Sequence, residues 1–131
     1  MPDALGAFID KERTRLRALG QETNVQLAYT GQAQRQVPED VAAAVVRVVQ
    51  EALANALRHA DAANVVVTYG VWPDAVTVDV VDDGRGFDPA RSGDGFGLPG
   101  LQARVDELGG VLSVESRPGD GAAIAARLPI D

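Results

Sequence analysis

Two β-rich runs, Val65 to Val71 and Ala75 to Val81, stand almost back to back, with only Trp72-Pro73-Asp74 between them. So short a connection suits a hairpin, and the Val, Thr and Tyr residues of both runs fit a pleated, half-buried surface. In the second run Val76, Val78 and Val80 fall on one face, while Thr77, Asp79 and Val81 fall on the other, because side chains alternate along a strand. The hairpin therefore has an apolar face that other elements must cover. By the same alternation Asp82 continues the apolar face and Asp83 turns away from it. A carboxylate at the end of a strand, on its covered face, needs a hydrogen-bond donor, since burial without one is costly. A heteroaromatic ring with an exocyclic amine could supply it.

Three helical stretches can provide the cover. Pro38 opens the longest, with Glu39 and Asp40 in its first turn, where they complement the macrodipole. From Val41 to about Ala60 the residues Val41, Val45, Val48, Val49, Ala52, Leu53 and Ala56 form one apolar stripe. An earlier helix has Asp3 as N-cap, a shared face of Leu5, Phe8, Ile9, Leu16 and Leu19, and Gly20 as its stop. A third covers Leu98 to Leu108, starting near Pro99 and closed by Gly109-Gly110. Val25 to Tyr29 is a short strand with TGQAQRQ as the loop behind it, and Trp72 is turn packing. Val111 to Glu115 and Ala122 to Leu128, joined by the turn SRPGDG, complete the sheet. Residues 87–97, FDPARSGDGFG, carry turn formers and no apolar period, the pattern of a loop or lid.

At 131 residues this is one domain, large enough for a core of its own. The absence of cysteine excludes disulfides and thiolate metal sites and favours an intracellular compartment; a single histidine also argues against structural zinc. A net charge of -7 argues against a general nucleic-acid binder, although a few arginines and glycine amides can reverse the potential over a small patch. No apolar run approaches the roughly 18–20 residues that cross a bilayer. The N-terminus lacks the basic start and apolar stretch of a signal peptide. The expectation is a cytoplasmic protein, or a cytoplasmic piece of one, with no membrane contact by this segment.

Glu51 and Asn55 lie four residues apart in EALANALRHA, which puts a carboxylate and a neutral oxygen ligand on one helical face, an arrangement suited to a hydrated divalent cation. His59 extends that row and Arg58 lies beside it. A solvated helix face has the same pattern, and a lone DDGRG is more often a plain turn. What favours a site is the succession of the helix, DDGRGF and GFGLPG, because glycines let backbone approach a bulky anion. Together they read as a nucleotide site, with Mg²⁺ and phosphates between helix and loops. Gly95, Gly97 and Gly100 also satisfy GxGxxG, with Glu115 downstream. The dinucleotide fingerprint needs a strand immediately before its first glycine, and DPARSGD cannot be a buried strand. No GxxxxGK[ST] and no HExxH occurs.

Taken together, EALANALRHA, DDGRGF, GFGLPG and the ending GDGAAIAARLP resemble the ATP-binding domain shared by sensor histidine kinases, DNA gyrase, the Hsp90 chaperone and MutL, over about residues 5–130. The HA ending of the helix motif is most similar to kinases of the nitrate-sensor and membrane-fluidity-sensor class. The resemblance implies an α+β fold, a two-layer α/β sandwich whose mixed sheet is covered on one face by about three helices (the Bergerat ATP-binding fold). It implies one domain over residues 1–131, with a lid at about 87–100. ATP and Mg²⁺ are the implied ligands. Asn55 takes the Mg²⁺-ligand position, and Glu51 the position that ligates or orients water in the kinases and acts as general base in the ATPases. Arg58 and His59 fall where phosphate-contacting side chains lie, and Asp82 where a carboxylate accepts from the adenine amino group. Gly84 and Gly86 permit close approach to the base; Gly95, Gly97, Leu98 and Gly100 form the phosphate-covering lid, some through backbone amides.

The implied activity is transfer of the γ-phosphoryl group to a histidine on a separate dimerisation domain, with a response regulator downstream. The isolated domain is expected to be monomeric and to transfer little alone. A stand-alone anti-sigma-factor serine kinase, an ATPase of the gyrase class, or a nucleotide-sensing module without catalysis are the alternatives. Two departures stand out. Gly121 is followed by Ala122, where the family usually has a threonine near the base, and the only histidine, His59, lies inside the nucleotide helix and is not the phosphoacceptor.

Overall fold

The computed structural model describes residues 3–20, 22–57, 63–85, 98–116, 119 and 121–130. Helix α1 (Asp3–Ala18) leads to strand β1 (Asn24–Gln32), helix α2 (Glu39–Asn55), strands β2 (Asn64–Val71) and β3 (Ala75–Asp82), helix α3 (Leu98–Glu107), and strands β4 (Val111–Ser116) and β5 (Ala122–Pro129). The five strands form one mixed sheet in the order β1-β2-β3-β5-β4. β1 and β2 run parallel, as their connection through α2 requires, and every other pair is antiparallel.

Register decides which residues face the helices. Val67 lies opposite Val80, which lies opposite Ile124, and Tyr69 opposite Val78, which lies opposite Ala126. All are buried, whereas Val81, one residue out of step, is exposed. α2 packs over β3 and β5 and touches both other helices. Its stripe of Val41, Val45, Val48, Val49, Ala52 and Leu53 is buried as its spacing requires, each valine and leucine side chain contributing about 1.5–3 kcal/mol. The two-layer α+β sandwich is thus the observed architecture.

Three details depart from the sequence reading. Leu19 lies beyond the end of α1 and is 62% exposed, so the helix face consists of Leu5, Phe8, Ile9 and Leu16. β1 continues through Thr30 and Gln32 with a bulge at Gly31, so the first residues of TGQAQRQ are strand. Trp72 stabilises this end of the sheet. Its ring fills the space that a side chain at Gly31 or Gly70 would need, and its indole N–H donates to Thr77 Oγ1 at 2.8 Å. α2 ends its regular course at Asn55, and Ala56 and Leu57 form a wider π-type turn.

Candidate functional site

Asp82 ends β3, with Val65 of β2 on one flank and Ala122 of β5 on the other. Its side chain lies on the covered face, 8% exposed, as the strand parity requires. Oδ1 accepts the Gly84 N–H at 2.9 Å. Burial raises the pKa of this carboxyl above the ordinary carboxylate value; hydrogen bonds with the Gly84 and Ala122 backbones oppose the rise, and the charge of Asp83 adds to it.

Asp83 has the opposite environment. It is exposed, and its two oxygens accept the Ala63 N–H at 2.9 Å, the Asn64 N–H at 2.8 Å and the Asn64 side-chain N–H at 2.8 Å. The bonds with the Asn64 side chain and backbone lower its pKa. Adjacent carboxylates are thereby pushed in opposite directions, one by removal from water and the other by donors.

Gly121 closes the other flank. It has a φ of +76°, and a Cβ there would overlap the main-chain oxygen of Asp82 and lie 3.3 Å from its carbonyl carbon. Ser116 Oγ donates to the Gly121 carbonyl at 2.8 Å, and the Gly119 N–H donates to the Arg85 carbonyl. These contacts tie the turn before β5 to the DDGRG turn.

Asn55 is the last regular residue of α2 and is 2% exposed. Neither Oδ1 nor Nδ2 has a hydrogen-bond partner among the described residues. Most buried side-chain amides are satisfied, and an orphaned one marks strain, a role, or an absent partner. The chain passes from α2 to Asn64 in a few residues, and Asn64 is bonded to Asp83, so Asn55 and Asp82 lie at the same end of the sheet. One turn before Asn55, the partly buried Glu51 accepts from Arg47 Nε at 3.2 Å.

The structure therefore brings Glu51, Asn55, Asp82 and Gly84 to one end of the α2–β3–β5 layer. Leu98 and Gly100 belong to the first turn of α3; Leu98 is buried in the core, and Gly100 faces the cleft between α2 and α3 beside Arg47, Gln50 and Arg104. Arg58, His59, Gly86, Gly95 and Gly97 lie outside the described residues. Sequence reasoning missed the close approach of Gly121 to Asp82 and the bonds from residues 63 and 64 to Asp83. Gly121 carried a signal, since GDG before a strand marks a turn; the Asp83 contacts carried none, because they join distant segments. No helix among the described residues is long and apolar enough to cross a membrane.

A model of the family described as histidine kinase-, DNA gyrase B-, and HSP90-like ATPase matches residues 40–131. The chain is 39% identical over 107 residues to the signal transduction histidine-protein kinase/phosphatase DegS of Brevibacillus brevis, an alignment covering 81% of the chain and 28% of that protein. It is 38% identical over 86 residues to the sensor histidine kinase LiaS of Bacillus subtilis (strain 168), covering 64% of the chain and 24% of that protein. The chain thus spans about a quarter of the length of these relatives. The blue-light activated histidine kinase of Erythrobacter litoralis EL346 superposes with a TM-score of 0.70 at 26% identity, over 95% of this chain and 41% of that one. The catalytic domain of histidine kinase ThkA superposes with a TM-score of 0.67 at 18% identity, over 89% of this chain and 83% of that one, a likeness of fold.

Proposed function

The chain belongs to the histidine kinase-, DNA gyrase B-, and HSP90-like ATPase family, and from that membership we propose that it is the catalytic and ATP-binding domain of a two-component sensor histidine kinase. Asn55 carries this reading. A buried amide with neither polar atom partnered among the described residues, one helical turn from a carboxylate, is poised to receive a ligand. Mg²⁺ fits it: this hard cation takes oxygen ligands, keeps several waters, and is held by one or two protein groups together with substrate phosphates. The donor set of Asn55 Oδ1 and Glu51 agrees with that habit. Bound there, Mg²⁺ neutralises charge on the triphosphate.

The chain's own residues supply recognition and position. The Asp82 carboxylate accepts from the exocyclic amine of adenine, which a guanine base lacks at that place. Gly84 lets the backbone come close to the ring, and the lid glycines with Arg58 and His59 hold the phosphates. Glu51 orients water or metal beside Asn55. An acceptor histidine on a separate dimerisation domain then attacks the γ-phosphorus; a P–N bond forms, the bond to the bridging oxygen breaks, and ADP leaves. Such chemistry needs positioning and charge stabilisation rather than a covalent intermediate. His59, the only histidine of the sequence, belongs to the EALANALRHA motif, so the acceptor comes from elsewhere, with a response regulator next in line. EALANALRHA supports placement in the nitrate-sensor and membrane-fluidity-sensor class.

The test is to label the whole natural protein that contains this chain with [γ-³²P]ATP and Mg²⁺. The expected label is acid-labile and alkali-stable, and it is lost in Asn55→Ala. Acid-stable label would instead identify a serine kinase and overturn the histidine assignment.

A further inference from the structure

The carboxylate next to the base-reading one carries more bonds than a turn requires. Asp83 accepts three N–H groups from Ala63 and Asn64, at 2.9, 2.8 and 2.8 Å, and its own N–H donates to the Asn64 carbonyl at 3.2 Å. The clamp extends outward: the Asn24 N–H donates to the Ala63 carbonyl at 2.8 Å, and the Asn24 side chain reaches the Asn64 side chain at 3.5 Å. β3 is thereby tied to the start of β2 through the Asp83 carboxylate, and the start of β2 to β1 through Asn24. The peptide between residues 83 and 84 carries the N–H that restrains Asp82 Oδ1 at 2.9 Å. Fixing the side chain of Asp83 fixes its backbone torsions, hence the direction of that N–H, hence the aim of the Asp82 carboxylate. On the opposite flank the Ala122 backbone also bonds to Asp82, but Ala122 brings no threonine hydroxyl there, so the Asp83 side shares the aiming.

We propose that Asp83 is a positioning residue for base selection: bonded to Ala63 and Asn64, it aims Asp82 at the exocyclic amine of the nucleotide base. This rests on the adenine-binding reading of Asp82. Asp83 itself touches no base, and its contribution is specific to the base rather than to the triphosphate.

The test compares binding of ATP and of inosine triphosphate, which lacks the 6-amino group, to the 131-residue chain by calorimetry with Mg²⁺. The wild-type chain is expected to prefer ATP. Asp83→Ala is expected to narrow the ATP-to-ITP preference about tenfold, the scale of one charge-assisted hydrogen bond, chiefly by weakening ATP. Asp83→Asn keeps an acceptor oxygen for both main-chain N–H groups and should restore most of the preference. Asn64→Ala removes only the side-chain donor, so it should narrow the preference less, and it carries the test if Asp83→Ala does not fold. Equal loss of both nucleotides in Asp83→Ala would mark a merely structural residue and overturn the proposal. A preference that survives undiminished in the variants overturns it too, while leaving the adenine reading intact. A wild-type chain that binds ATP and ITP equally would overturn the adenine reading itself, and this proposal with it.

Discussion

Replacing Gly121 by alanine tests how closely the turn before β5 is fitted to the end of β3. Gly121 and Gly119 lie two residues apart with φ of +76° and +91°, so alanine at either position adopts the left-handed region, at about 1–2 kcal/mol. Their surroundings differ. At Gly119 nothing among the described residues lies within 4 Å of an added Cβ, whereas at Gly121 the Cβ overlaps the Asp82 carbonyl oxygen and lies 3.5 Å from Asp83 Cα. Backbone cannot rotate out of the way as a side chain can, and relief of such overpacking costs about 1–3 kcal/mol more. Gly119→Ala should therefore cost about 1–2 kcal/mol and Gly121→Ala about 2–5 kcal/mol. For a domain of this size, each kcal/mol lowers Tm by about 3–5 °C, so thermal denaturation followed by circular dichroism should separate the two. The shift falls on Asp82, so Gly121→Ala should also weaken ATP binding at temperatures where it is folded, while Gly119→Ala should not. Equal Tm losses for the two variants would refute the close fit of Gly121 against β3.

Asn55→Leu should stabilise the nucleotide-free chain by about 1 kcal/mol, read as a higher Tm, because it replaces a buried amide with no partner among the described residues, while abolishing Mg²⁺-dependent ATP binding; a lower Tm would mean that the amide has partners in solution. Asp82→Asn should weaken ATP binding about 10- to 100-fold by calorimetry, the range for a hydrogen bond to a charged group, and an unchanged affinity would remove Asp82 from the base site. The raised pKa of Asp82 means that its charged form is lost as pH falls, already above the ordinary carboxylate value of about 4, so ATP affinity should drop in that window in the wild type and much less in Asp82→Asn. For Asp83 the sign is reversed: its folded pKa is lowered, so its contribution to stability is full above the unfolded value and is lost as pH falls through the folded one. Acid titration of Asp83→Asn followed by fluorescence should lack that part of the transition.

What the sequence disclosed, it disclosed through period. Alternation along Ala75–Asp82 separated Asp82 from Asp83, and the burial of one and exposure of the other follow from it. The stripe of α2 was legible for the same reason. Asn55 was legible as a candidate ligand on the face of Glu51, but its burial without a partner among the described residues was not, since that depends on what the other elements offer it. Glu51 was read together with Asn55, while Arg47, one turn earlier and bonded to Glu51 at 3.2 Å, was overlooked although its spacing was in view. The course of β1 past Tyr29 was hidden because its continuation depends on a bulge at Gly31 and on Trp72, far along the chain. Likewise the Asp83 clamp joins residues 63–64 to residue 83, and local pattern contains nothing about such pairs.

The position of β5 bears on when the frame around Asp82 comes into being during synthesis. β5 is the last strand in the chain, yet it lies between β3 and β4 and supplies the flank of Asp82. Until it emerges from the ribosome, β3 has one bare edge along its whole length, and such an edge invites pairing with other chains. The nascent domain can form the β2–β3 hairpin and much of the helical cover early. The surroundings of Asp82 wait for the final strand, so a chain stopped before Ala122 displays an unpaired edge and has only half of the frame around that carboxylate.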